Sequence, residues 1–198
     1  MKFDPHQVMA LLVATSFAAG LNVYATVATL GLLGHYHVLP LPDRLDVLSH
    51  WSVISVATAL FVIEFFADKI PYFDMVWNVM HTFVRIPIAA LLAWNATASL
   101  PPSMQVAATV LGGVIAGVAH TGKTAVRAGV TPSPEPVSNM AMSTAEDVGA
   151  IGLTWLATKH PYIAGGITLV FIVFTFLVAR WIVRSLREGW KELKEGWA

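Results

Sequence analysis

Six stretches of this chain, at about 8–33, 50–67, 74–99, 104–128, 141–157 and 161–184, are apolar with few interruptions. A helix needs roughly 20 such residues to cross the hydrocarbon core of a bilayer. About six transmembrane helices are therefore expected. Proline-rich breaks separate the stretches at Pro40-Leu41-Pro42-Asp43, Ile70-Pro71, Pro101-Pro102 and Pro132-Ser133-Pro134-Glu135-Pro136, and no soluble domain fits between them. Met1-Lys2, the first apolar run and Ala18-Ala19-Gly20 mimic a cleavable leader. The run continues to Leu33, however, and Asp4 interrupts the basic start, so a retained helix is expected.

Charge is scarce and balanced. Only 12% of the 198 residues are charged, and twelve basic residues cancel twelve acidic ones. A neutral chain gives no reason to expect a nucleic-acid partner. The absence of cysteine removes disulfides, thiolate metal sites and cysteine nucleophiles. The few basic residues are unevenly spread: Arg184, Arg187, Lys191 and Lys194 follow the last stretch, Lys69 lies in the second connection, and Lys123 and Arg127 border the fourth. The opposite connections hold only Arg44 and Lys159. The positive-inside bias then puts both termini of a multi-pass protein on the cytoplasmic side of a bacterial inner membrane, with membrane lipids as partners. Residues 185–198 form an amphipathic tail in which Leu186, Trp190, Leu193 and Trp197 share a face, expected to lie along the cytoplasmic lipid surface or to dock on a partner.

The two halves echo each other. Ala67-Asp68-Lys69-Ile70-Pro71-Tyr72 and Ala157-Thr158-Lys159-His160-Pro161-Tyr162 share the pattern A-x-K-x-P-Y, and Ser16-x-x-x-Gly20 parallels Gly113-x-x-x-Gly117. Two units of three helices follow, residues 1–100 and 101–184. An odd number of spans per unit inverts the second unit relative to the first. The expected fold class is thus an all-α membrane protein built from two inverted-topology three-helix repeats, with small residues bringing the first and fourth helices close.

The repeat alignment also carries the fourth helix to about Val130, past Ala119 where hydropathy alone would end it. His120, Lys123 and Arg127 then share one face inside the membrane. Glu146 and Asp147 enter from the same side, Glu64 and Asp68 close the second helix with Lys69 beyond, and Asp74, Asn78, His81 and Arg85 open the third. Each charge facing lipid at a helix centre would cost roughly 2.5–3.5 kcal/mol. These side chains are therefore expected to face one another or a wet cavity in the cytoplasmic half. Asn22 stands alone in the first helix, as a helix-to-helix hydrogen bond or a ligand contact. His35, His37 and His50 could meet a metal at the outer surface, but no carboxylate or cysteine spacing completes a site, and neither metal nor cofactor is expected.

Glu64-x-x-Ala67-Asp68-Lys69-Ile70-Pro71, Asp74, Trp77 and His81-Thr82-Phe83-Val84-Arg85-x-Pro87 resemble an uncharacterised bacterial integral membrane family, domain of unknown function 4126. Ala116-Gly117-x-x-His120-x-x-Lys123-x-x-x-Arg127 and Ser143-x-x-Glu146-Asp147 extend the resemblance over almost the whole chain. It implies an integral membrane protein and brings no reaction with it.

The leading functional expectation is a small inner-membrane transporter or channel with a cytoplasm-facing polar chamber. There His81, Arg85, His120, Lys123, Arg127 and Asn22 would bind an anionic solute or lipid head group, a phosphate or a carboxylate. Glu64, Asp68, Lys69, Asp74, Glu146 and Asp147 would form a charge network or carry a coupling proton. The first alternative is a structural or assembly protein held by intramembrane ion pairs; the second, a membrane-embedded enzyme, lacks an identifiable catalytic residue. A chain this short is small for a monomeric pathway, so a homo-oligomer is also considered.

Overall fold

A computed structural model describes residues 4–38, 41–130 and 136–195. The side chains of Asp43, 71–75, 127–130, 136–139 and several positions beyond 181 lie outside the described set. All regular structure among the described residues is helical: α1 (Pro5–Leu21), α2 (Val23–His35), a 3₁₀ segment (Asp43–Ser49), α3 (Trp51–Ala67), α4 (Pro71–Ala96), α5 (Pro102–Val130), α6 (Pro136–Lys159) and α7 (Pro161–Glu195). Five of these helices open on a proline, where its missing N–H would have no intrahelical partner anyway. The segments Val76–Ala96, Pro102–Val126 and Pro161–Trp181 are long and apolar enough to cross a membrane.

The outer surface is apolar, and the polar side chains of the helices face inward among an apolar core. On α4, Val79, Met80 and Phe83 are exposed while Asn78, His81 and Arg85 are buried; on α7, Phe171, Phe174, Phe176 and Leu177 are exposed. Contiguous apolar surface of this kind calls for lipid around it. Small residues bring the central helices together. A Cβ added to Gly20 would meet the Ala116 carbonyl oxygen and would lie 2.7 Å from Ala119 Cβ and 2.9 Å from Ala116 Cα. Gly20→Ala is therefore expected to cost about 1–3 kcal/mol through overpacking, read as a lower melting temperature in detergent. Gly152→Ala, where an added Cβ meets nothing within 4 Å, should not lower it.

Two expectations are corrected. The single first span over 8–33 is broken: α1 ends at Leu21, Asn22 is extended (φ −147°, ψ 105°), and α2 starts at Val23. With 17 and 13 residues, the pieces reach only about 26 Å and 20 Å, at 1.5 Å per residue. They form a hairpin rather than a span. Leu12 of α1 packs with Ala93 near the end of α4. The 3₁₀ residue Leu48 packs on Gly31 of α2 and shares a core with Leu92 and Ala96, again near the end of α4. Both arms thus lead from Asn22 toward the same end of the bundle.

The second correction concerns the path of α1. Asp4 accepts a hydrogen bond from the Tyr162 hydroxyl at the start of α7, Ala10 packs on Gly165, and Phe17 stacks on Phe171 with ring centroids 6.0 Å apart. α1 and α7 therefore run parallel, and Asp4 lies beside the start of α7, not its end at Glu195. Among the described residues the hairpin turns back at Asn22. α1 also runs parallel to α5, as Ser16 against Gly112 and Gly20 against Ala116 require, so the Ser16/Gly113 equivalence does not describe an inverted pair. α7 continues unbroken to Glu195. Of the tail face, Trp190 is exposed; the side chains of Leu186 and Leu193, and Trp197 altogether, lie outside the described residues.

Candidate functional site

The hairpin tip sits among the polar residues of α3 to α6. Asn22 holds it in two ways: its Oδ1 accepts from the Ala25 N–H (2.9 Å), capping α2, and its Nδ2 donates to Asp147 Oδ1 on α6 (2.8 Å). A helix N-terminus carries partial positive charge and a C-terminus partial negative charge. Asp147 stands at the first and Lys123 at the second, with Lys123 Nζ donating to the Leu21 carbonyl (3.2 Å). Both broken ends therefore face a side chain of complementary charge.

Two ionic clusters surround this tip. In the first, Arg85 on α4 pairs with Glu64 on α3, both side chains 0% exposed. The Arg85 guanidinium also donates to His120 Nδ1 (2.8 Å) and Asn78 Oδ1 (3.3 Å). Arginine cannot accept, so His120 receives at Nδ1 and presents its Nε2–H to Thr82 Oγ1, 2.8 Å away. In the second, Lys123 Nζ lies 2.9 Å from Glu146 Oε2 and 3.4 Å from Asp68 Oδ2. Glu64 and Asp68 are one turn apart on α3, and His120 and Lys123 share a face of α5, so the same two helices hold both clusters. Beside them, His81 donates from Nδ1 to the Trp77 carbonyl (2.7 Å) and accepts at Nε2 from the Tyr24 hydroxyl (2.9 Å).

The helix that carries Lys123 is continuous to Val130, which places His120 and Lys123 well inside it. Of the sequence-derived residues, Asn22, Glu64, Asp68, His81, Arg85, His120, Lys123, Glu146 and Asp147 come together. Lys69 does not join them: its Nζ donates to the Phe65 carbonyl (2.8 Å) and lies 3.0 Å from the Phe65 ring centroid. Asp74 and Arg127 have side chains outside the described set. Tyr24 and Thr82 were missed, since an aromatic and a threonine in apolar helices read as core; their spacing to Asn22 and His81 was the available signal.

Neither buried cation is free for an anion. The described cluster holds four acidic side chains, Glu64, Asp68, Glu146 and Asp147, against two basic ones, Arg85 and Lys123. Asp147 is 3% exposed, and its Oδ2 has no hydrogen-bond partner among the described residues, nor do Glu64 Oε2 and Ser143 Oγ. A cleft of about 450 Å³, walled mostly by apolar residues such as Phe17, Leu21, Phe171 and Phe174, reaches Lys123 and Glu146. No group of three or more histidine, aspartate or glutamate side chains with metal-holding geometry occurs among the described residues.

The protein family described as Domain of unknown function (DUF4126) matches residues 9–181 of the chain. No curated protein and no solved structure matches it.

Proposed function

The chain belongs to this family of unknown function, and from that premise we propose that it is a small transporter or channel of the bacterial inner membrane whose solute passes the hairpin tip. The observation that carries this reading is the helix break at Asn22. Broken backbone at membrane depth is tolerated only where it is buried in protein or lines a water-filled cavity, and discontinuous helices are how many transporters hold an ion near the midplane. The basic end of α7 is read as cytoplasmic, which leaves the first residues of the chain on the other side.

The charge balance argues for the kind of solute. A buried set with more carboxylates than cations is poorly matched to a phosphate or carboxylate, and its excess is relieved by a cation, the proton being the smallest. Glu146, with a side chain 13% exposed, is the most open member and borders the cleft, which gives a route from outside the bundle.

Purified protein in liposomes loaded with pH-, sodium- and potassium-sensitive dyes tests the reading. Flux of one of these cations is expected, and Asp147→Asn should lower it at least tenfold. Flux of phosphate or a carboxylate without cation movement would restore the anion chamber. No flux of either kind through folded protein would favour the ion-pair scaffold, the second reading, which draws its support from the buried Arg85–Glu64 pair.

A further inference from the structure

We propose that the cleft between α5, α6 and α7 holds one acyl chain of a bilayer phospholipid. The packing beside it explains why it exists. A Cβ on Gly122 of α5 would collide with the Thr175 side chain of α7, whereas one on Gly149 of α6 would meet only Leu21 Cδ1, 3.8 Å away. α5 and α7 therefore close on each other while α6 stands off. The space left is the cleft of about 450 Å³, floored by Phe17 (4% exposed) and Leu153 (8%) and rimmed by Phe171 (49%) and Phe174 (59%). Its volume falls in the range of roughly 300–1,000 Å³ common to sites that take small molecules.

The rim identifies the occupant. Phe171 and Phe174 belong to the apolar outer surface of α7 that calls for lipid, so the cleft is a recess in a lipid-facing wall and acyl chains are the solvent at its mouth. The lining runs about 12 Å along α7, from Phe171 to Ala179, and about 16 Å along α6, from Met142 to Leu153, at 1.5 Å per residue. A recess of that length suits an extended chain. Its charged lining residues, Lys123 and Glu146, pair with each other at 2.9 Å, so the walls bring no net charge with which to draw in a head group. An unfilled recess would leave the phenylalanine and leucine side chains without neighbours on one side. A chain restores those contacts and wedges α6 away from α5, and α6 is the helix that carries Glu146 and Asp147 to the hairpin tip. None of this depends on transport.

The test is photolabelling of the full chain in phospholipid nanodiscs that contain a trace of phospholipid with a diazirine in the distal half of one acyl chain, the labelled residues being mapped by mass spectrometry. Label is expected on Phe17 and Leu153, which the outer surface does not offer to lipid, as well as on exposed residues such as Phe176. Gly149→Leu, which puts a side chain into the cleft, should lower labelling of Phe17 and Leu153 at least fivefold relative to Phe176 in the same molecules. Ala145→Leu, from the rim, should act in the same direction and serves if Gly149→Leu does not fold. Gly152→Leu, on the same helix but outside the lining, should change nothing. Label confined to the exposed residues of wild type overturns the proposal. So does undiminished labelling of Phe17 and Leu153 in the filled variants, or labelling of that floor by a diazirine fatty acid and not by the phospholipid.

Discussion

Arg85→Ala is expected to destabilise the protein by about 3–5 kcal/mol, the usual cost of leaving one member of a buried ion pair alone. The substitution strands Glu64, which is 0% exposed, and removes the donor to His120 Nδ1 and Asn78 Oδ1. Arg85→Lys should recover only part, since an ammonium cannot present the guanidinium fork that reaches Glu64 and His120 together. Replacing both members, as in Arg85→Met with Glu64→Leu, should cost much less than the two single changes added, because a well-packed apolar pair can substitute for a buried ion pair. A double-mutant cycle on unfolding in detergent reads the coupling. Additive costs would mean that the two side chains do not depend on each other. The same double variant separates the functional readings: a scaffold needs only the packing and should keep its role, whereas a transporter should fold yet lose its flux.

Much of this was legible before any coordinates. The apolar run lengths locate α4, α5 and α7, and the i, i+3 and i, i+4 spacings of His81 with Arg85 and of His120 with Lys123 put the right side chains inward. The reach of α5 to Val130, past the point at Ala119 where hydropathy fades, was expected from a counterpart that is itself broken at Asn22, so the agreement lends the repeat no support. The break at Asn22 was not legible, because window-averaged hydropathy is blind to continuity and one asparagine costs a helix only about 0.7 kcal/mol. The cue was its aptitude as an N-cap, which shows only if a second helix is already suspected at Val23. The path of α1 was misjudged with it. Lysine and arginine counts assign sides to connections correctly only when the number of crossings between them is right, and a hairpin that turns back removes one. Lys69 was misplaced for a simpler reason: a lysine at a helix end can reach a nearby carbonyl and ring as readily as a carboxylate on the next helix.

Asn22→Ala gives the sharpest separation between a hairpin and a continuous helix, because the two predict opposite signs. In an unbroken helix, alanine is the better residue by about 0.7 kcal/mol, and removing a lone amide from an apolar span should help further. At a hairpin tip, the change removes the cap on α2, worth about 0.5–2 kcal/mol. It also takes from Asp147 Oδ1 its Asn22 hydrogen bond, at a further cost of about 1–3 kcal/mol or more for a buried charged group. A net loss of about 2–5 kcal/mol is therefore expected, measured as unfolding in detergent. Asn22→Asp keeps a competent cap but sets a second carboxylate against Asp147, so it too should destabilise. Exchanging the pair, Asn22→Asp with Asp147→Asn, restores one amide and one carboxylate at 2.8 Å separation and should recover most of the loss. Stabilisation by Asn22→Ala, or no recovery on exchange, would remove the tip contact and with it the geometric basis for an ion passing this point.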